Sequence, residues 1–409
     1  MNDERISTRP HTDDDPVTPT LEVFPETLIA HAGIAADGAV VPPLYSATTY
    51  ARDRNYQARV EGRLYSRTGS AAFDAPEQIL ASLEQGAAAM VYASGMAAIA
   101  DVFHVLPAGS CVVLPDAMYW GVYSWSERYC ERNGIRIIRY CMGAEDPLQS
   151  LRDALAESAS VQLVWLETPS NPMMHIIDIE AAAALAHERD AIVCVDSTAS
   201  TPVHTKPLLL GADLVVHSAT KYLNGHSDVL AGALVTREQD AFWELLQSER
   251  AEAGAVLGSF ECWLLARGMR TLYLRVRAAS ASAQRIAHFL AEHAGVTKVR
   301  YPGLPHCHGH EIAQRQMQGG YGGMLSFEVA GGESGALAVA NALRVITPAT
   351  SLGGLESLIG HRYSIEPAIT AIPPGLLRLA VGIEHSDDLI DDLRQALELA
   401  TAAGTNQPG

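Results

Sequence analysis

From Ala88 to Asp196 the chain repeats one pattern, a short apolar run followed in most cases by a stretch with helical spacing. The runs are "AAMVY", "CVVLP", "IRIIRY", "VQLVWLE" and "AIVCVD". Short apolar strands alternating with helices argue for a mostly parallel sheet covered by helices on both faces, and hence for an α/β fold. Ahead of these runs, "DAPEQILASLEQG" predicts a helix with Asp74 as N-cap, Pro76 in the first turn and Gly86 as the stop. Further helices are expected from Met96 and around Tyr123 to Arg132. After roughly Glu249 the rhythm changes. One long helical stretch, "FECWLLARGMRTLYLRVRAASASAQRIAHFLAEH", leads into strands "GMLSFEV" and "LLRLAVG" and a last helix "DDLIDDLRQALELA". This reads as a smaller C-terminal α+β domain. The first sixty or so residues lack periodicity and read as an extended arm. Within them, "MNDERISTRPHTDDDPVTPT" reads as a polar, disordered leader and Asp37–Gly38 as a turn. The expected division is an arm over 1–62, an α/β domain over 63–257 and an α+β domain over 258–409.

A formal net charge of -18 over 409 residues argues against nucleic acid or an anionic membrane as partner, since both select a basic face. The six cysteines are scattered, with no C-x-x-C pair, so free thiols in a reducing compartment are expected. The longest apolar passage, "AAAMVYASGMAAIADVFHVL", is interrupted by Ser94, Gly95, Asp101 and His104. It fits a strand, a turn and a helix better than a membrane span. A soluble, cytoplasmic protein is the expectation.

In an open α/β sheet, ligands bind at the carboxyl ends of the strands. "AIVCVD" ends at Asp196, and "ADLVVHSATK" ends with Ser218, Thr220 and Lys221. Lys221 is one of three lysines, the others being Lys206 and Lys298, and it sits among small and hydroxylated residues rather than among charges. A third feature, Ser94-Gly95-Met96, opens a helix whose first N–H groups and dipole suit a phosphate. An amine, a carboxylate and a phosphate cradle are together what pyridoxal phosphate (PLP) requires. Taken singly, each has a plainer explanation: a strand-end cap, a turn, a surface lysine.

The combination resembles the Cys/Met-metabolism family of PLP enzymes, which includes cystathionine γ-synthase, the cystathionine β- and γ-lyases, methionine γ-lyase and the O-acylhomoserine sulfhydrylases. The resemblance runs from about Tyr45 to the last helix. It is carried by "YSRTG", "YASGMAAI", "ETPSNP", "VDSTAS", "HSATKYLNGHSDVLAG", "YPGLP", "QMQGGYGGMLSFEV", "SLGGLESLIGH" and "LLRLAVGIEHSDDLIDDL". It implies PLP fold type I, the aspartate-aminotransferase-like architecture. It further implies that Lys221 holds the cofactor as a Schiff base and then moves protons, while Asp196 pairs with the ring nitrogen. Ser94, Gly95, Met96, Ser218 and Thr220 would hold the phosphate, and Tyr119 would stack on the ring. Tyr65 and Arg67 would reach in from a neighbouring subunit, which implies an obligate homodimer and usually a tetramer. Asn171, Ser351 and Arg378 would orient the carboxylate of an amino-acid substrate, with Thr350 beside them.

The implied chemistry is β- or γ-elimination or γ-replacement on a sulfur-containing or O-acylated amino acid. A specialised γ-replacement with a non-thiol nucleophile is the second reading, and a catalytically silent paralogue the third. Thr350 stands where similar γ-lyases often carry glutamate, and Gly121 stands where methionine γ-lyases typically carry cysteine; both weaken those two assignments. "YWGVYSW" offers Trp120 and Tyr123 either to a substrate pocket or, by the favoured reading, to core packing on a helix. The segment between "ESLIGHRYSIEP" and "PPGLLRLAVG" is shorter than in similar proteins, so a remodelled substrate entrance is expected. "HCHGHE", with His306, His308 and His310 on an extended strand, has the look of a metal cluster, but a surface loop is expected and no functional metal.

Overall fold

A computed structural model describes residues 6–8, 21–32, 39–366 and 371–404. Asp37–Gly38, most of the acidic leader and part of the shortened segment before "PPGLLRLAVG" lie outside the described residues. The amino-terminal region is less featureless than its sequence suggests. Strand β1 (Ile6–Thr8) pairs antiparallel with β2 (Leu21–Val23), and helix α1 (Pro25–His31) follows. Pro25 opens α1 where its missing N–H costs nothing. Residues 39–70 then run without a helix, held by the isolated bridges Thr49–Tyr65 and Arg52–Ala58 and by bonds such as that from the Trp263 indole N–H to the Pro42 carbonyl.

Helix α2 spans Ala71–Glu84, with Ser70 rather than Asp74 as its N-cap; the Ser70 hydroxyl accepts the Ala72 N–H. Asp74 sits in the first turn, where its charge favours the helix dipole and pairs with Arg63. Gln85, in the left-handed region at φ 55°, ends the helix one residue before Gly86. Ile79, Leu80 and Leu83 are buried, each worth roughly 1.5–3 kcal/mol of apolar burial.

The large sheet has seven strands: β3 (Ala88–Tyr92), β4 (Cys111–Pro115), β5 (Arg136–Tyr140), β6 (Leu163–Glu167), β7 (Ile192–Asp196), β8 (Leu214–His217) and β9 (Gly232–Thr236). Their order is β3-β9-β8-β7-β6-β4-β5. Strands β4 to β7 pair in parallel, and β3 pairs antiparallel with β9, so the sheet is mixed. Strands β4, β6 and β9 are buried along their whole length, which is why they read as unbroken apolar runs. Helix α3 (Gly95–His104) follows β3, and α4 (Trp120–Asn133) follows β4.

A second sheet of five strands comprises β10 (Val296–Arg300), β11 (Met324–Val329), β12 (Thr347–Pro348), β13 (Leu358–His361) and β14 (Leu376–Ala380), in the order β10-β11-β14-β13-β12. Its core gathers Phe327, Ile359, Leu377 and Leu379 with Leu389 and Leu393 of the last helix, Ser386–Gly404. The long helical stretch is two helices, Ser259–Met269 and Leu272–Glu292. A Cβ on Gly268 would lie 2.3 Å from the Asn224 carbonyl oxygen, so glycine is required just ahead of the break. By compactness the chain forms two units: one holds residues up to Val105 with Val216–Tyr273, the other Leu106–Val215 with Leu274 onward.

Candidate active site

In the first unit, the start of α3 forms a cradle. The Ser94 hydroxyl accepts from the Ala97 N–H at 3.0 Å and the Ser94 carbonyl accepts from Ala98. By position, the N–H groups of Gly95 and Met96 have no partner in the helix. A Cβ at Gly95 would lie 2.9 Å from the Ser218 Cβ and 3.0 Å from its Cα. Glycine therefore lets the helix start come close to Ser218.

The segment bearing Ser218, Thr220 and Lys221 is anchored at both ends. Just before Ser218, the His217 ring nitrogen is 2.6 Å from Glu84 Oε1, and both side chains are buried. The Lys221 N–H donates to the Ser218 carbonyl at 3.0 Å, giving a tight turn. The Thr220 hydroxyl donates to the Ala231 carbonyl at 3.0 Å and accepts the Ala231 N–H at 2.9 Å. Its single proton is thus committed to closing the loop, a different use from the phosphate contact expected of it. Tyr65 and Arg67 are exposed and lie just after the arm. The Arg67 guanidinium is 5.7 Å from the Tyr65 ring centroid and donates to the Ala251 carbonyl.

The second unit carries the carboxylates. The parallel register of β6 and β7 sets Glu167 beside Asp196 at the carboxyl ends of both strands, and both are buried. Asp196 Oδ1 accepts the Thr198 N–H at 3.0 Å. Glu167 accepts the Tyr119 N–H at 2.8 Å and the Asn171 N–H at 2.9 Å, one with each oxygen. Burial, and then the neighbouring Asp196 charge, push the Glu167 carboxyl up to about 8, although the two N–H bonds favour its ionised form. Sequence reasoning passed over Glu167. Its only signal was an acidic residue ending an apolar strand just before "TPSNP", and its importance depends on which strand lies alongside.

Tyr119 caps α4 and its ring remains 43 % exposed. Gly121 permits that ring position, because a Cβ there would sit 2.5 Å from Tyr119 Cε1. Trp120 and Tyr123 are half-buried, which corrects the expectation of core packing. Spaced i, i+3 on α4, their rings stack at 5.5 Å, and the Arg139 guanidinium lies 4.0 Å from the Tyr123 ring centroid.

Arg378, in β14, is 2 % exposed. Its Nη1 donates to Asn171 Oδ1 at 3.2 Å and its Nη2 to the Ser351 carbonyl, so one guanidinium gathers two of the expected substrate contacts. Ser351 adopts φ 94°, a conformation rare outside glycine. Thr350 is exposed.

The "HCHGHE" segment is not an extended strand. Gly309 takes a left-handed conformation and caps a helix over His310–Gln316. The His308 and His310 rings bond the carbonyls of Glu145 and Pro302, respectively. No group of three or more ligand-type side chains able to hold a metal is found among the described residues.

The family described as "Cys/Met metabolism PLP-dependent enzyme" matches residues 26–398. The chain belongs to this family. It is 42 % identical over 382 residues to a cystathionine gamma-synthase of Mycobacterium bovis, covering 91 % of this chain and 96 % of that protein. It is 39 % identical over 386 residues to a cystathionine beta-lyase of Lactococcus lactis subsp. cremoris, covering 91 % and 98 %. A solved cystathionine gamma synthase from Xanthomonas oryzae pv. oryzae, in complex with aminoacrylate and cysteine, superposes with a TM-score of 0.88 at 38 % identity, covering 93 % of this chain and 99 % of that one. The cofactor of this PLP-dependent enzyme is pyridoxal phosphate, and the fold is PLP type I. The residues present fit that cofactor: a helix-start cradle that a single Cβ at Gly95 would crowd, a lysine on an anchored turn, and a buried carboxylate at a strand end.

Proposed function

We propose that this enzyme breaks or exchanges a carbon–sulfur or carbon–oxygen bond at Cβ or Cγ of an L-amino acid, as in cystathionine synthesis and cleavage. The observation that carries the reading is Arg378, a buried guanidinium tethered to Asn171 and the Ser351 carbonyl; a guanidinium is the group that suits bidentate binding of an α-carboxylate. The relatives named for cystathionine chemistry support it.

Bound PLP supplies an electron sink for negative charge developing at Cα. The amine of Lys221 holds the cofactor and then takes the Cα proton. A leaving group on Cβ departs at that stage, whereas one on Cγ requires removal of a Cβ proton as well, a second task for the same amine. Asp196 keeps the ring nitrogen protonated. The N–H groups of Gly95 and Met96, with Ser94 and Ser218, hold the phosphate, and Thr220 secures the Lys221 turn. Tyr119 covers the ring, its backbone fixed by Glu167. Ser351, with Thr350 next to it, lines the substrate side.

The division into an arm over 1–62, a cofactor domain over 63–257 and a C-terminal domain over 258–409 belongs to this proposal. So does a homodimer or tetramer in which Tyr65 and Arg67 serve a neighbour's site. The exposed Val40, Val41, Leu44, Tyr45, Tyr56 and Val60 of the arm support an oligomer; a monomer by light scattering would remove that part. Six free cysteines favour the cytoplasm, and no described helix is long and apolar enough to cross a membrane.

The deciding experiment feeds L-cystathionine to the cofactor-loaded enzyme and identifies the keto acid by mass spectrometry. Pyruvate assigns Cβ cleavage and 2-oxobutyrate assigns Cγ chemistry, after which O-acylhomoserines with cysteine test replacement. Lys221→Ala is expected to abolish turnover with an unchanged circular dichroism spectrum; normal turnover in that variant would sink the mechanism. Silence toward all of these substrates favours the specialised replacement reading, for which the half-buried Trp120–Tyr123 stack, next to Tyr119, offers an aromatic wall.

A further inference from the structure

Within the second unit lies a cavity of about 380 Å³, inside the range of small-molecule sites, roughly 300–1,000 Å³. Its wall includes Lys298 and Arg300 of β10, His175, and His306, Cys307 and His308 of the loop after "YPGLP". This is an unusual gathering for a chain of net charge -18 with three lysines. The nearby acidic groups are Glu328, opposite Lys298 in the sheet register and ion-paired to Arg300 at 2.5 Å, and Asp116, whose charge reaches His175. Neither acid is among the residues lining the cavity, so the lining itself carries two full cations and no carboxylate.

Two polar groups at this wall also lack hydrogen-bond partners. Arg300 gives Nη2 to Glu328, while its Nη1 is buried with no hydrogen-bond partner among the described residues. His175 Nδ1 is likewise buried without one. Buried polar groups are seldom left so, because each forgoes the bonds it made to water. Burial, opposed by the Asp116 charge, lowers the His175 pKa to about 4, and Arg300, His308 and Lys298 add to the lowering, so these groups act on one small volume.

We propose that this cavity binds a small oxyanion, the carboxylate or phosphate group of a metabolite, between β10 and the His306–His308 loop. Lys298 and the imidazoles of His306 and His308 meet its charge, and Arg300 backs them from the wall. The site is made of residues given no part in the PLP chemistry above.

The test is calorimetric titration of the cofactor-saturated enzyme with inorganic phosphate and, separately, with malonate. Saturation with PLP keeps the phosphate cradle filled, and an unchanged visible absorbance checks that it stays so. Saturable binding of at least one anion is expected, weakened about fivefold or more by Lys298→Met and by His306→Ala. Binding of phosphate alone assigns the phosphoryl class, of malonate alone the carboxylate class, and of both a general oxyanion site. Both substituted side chains are at the exposed rim, so melting temperatures without anion should stay within about 2 °C of the parent. Proton NMR of the histidine ring signals gives a readout free of substitution, with shifts expected on anion addition. No saturable heat with either anion, or affinity unchanged in both variants, overturns the proposal.

Discussion

The carboxyl ends of β6 and β7 and the edge strand β10 each collect charge of one sign, but in opposite settings. Glu167 and Asp196 are buried side by side and answered by backbone N–H groups. Lys298 and Arg300 stand on an edge strand, one exposed and the other paired with Glu328. Where charge is buried, water cannot screen it and a single neighbour moves a pKa by several units. Where it is at an edge, solvent and salt soften it, and it serves to attract a ligand rather than to drive chemistry. The contrast teaches that the concave sites of this protein are distinguished less by the sign of their charge than by its burial.

The largest effect expected from that contrast is at Asp196. Asp196→Asn should lower turnover on the order of a hundredfold or more while the protein still folds, measured as keto-acid release from the cofactor-saturated variant. A loss below tenfold would place Asp196 on the same footing as the edge-strand charges and break the comparison.

Next comes the pH dependence of stability. Native Glu167 keeps its proton up to about pH 8, whereas in the unfolded chain it loses it near 4.5. The native state therefore binds more protons between those values, and this residue's contribution to stability falls as pH rises from about 4.5 to 8. Glu167→Gln should flatten that slope in the cofactor-stripped protein. Urea midpoints across pH 5 to 9 check it, and parallel slopes would mean that the carboxylate pair is not strained as described.

A smaller effect is expected from Gly121→Ala. The added methyl would meet the Tyr119 ring, which is the free end of a partly exposed side chain and can swing away. Stability should change by no more than about 0.5 kcal/mol. kcat/KM should fall about tenfold, since the proposed role of Tyr119 in covering the cofactor depends on that ring position. An unchanged kcat/KM would show that the position of Tyr119 does not matter.

Much of this arrangement was legible before the structure, for identifiable reasons. Strands β3, β4, β6 and β7 are apolar because their faces are covered, and that composition is local. The cradle at Ser94, Gly95 and Met96 and the lysine turn are short motifs whose residues are adjacent in the chain. Errors arose where a local cue competed with a distant one. Asp74 is a sound N-cap candidate, yet the Ser70 hydroxyl captured that role one turn earlier. The helical pattern from Phe260 to His293 predicts one long stretch, whereas the helix breaks after Met269, next to Gly268, which packs on the Asn224 carbonyl.

By itself, then, the sequence determined the α/β class, the family, the cofactor, and Lys221 and Asp196 as candidate residues, since each depends on patterns within a few residues of the chain. Tertiary structure alone decided that Glu167 stands beside Asp196 and binds the backbone of Tyr119 and Asn171. It also decided that Arg378 holds Asn171 and Ser351, that Thr220 spends its proton on Ala231, and that β10 and the His306–His308 loop enclose one cationic cavity. These are pairings between residues as few as four and as many as two hundred and seven positions apart. They follow from strand register and loop packing, which a local pattern does not encode.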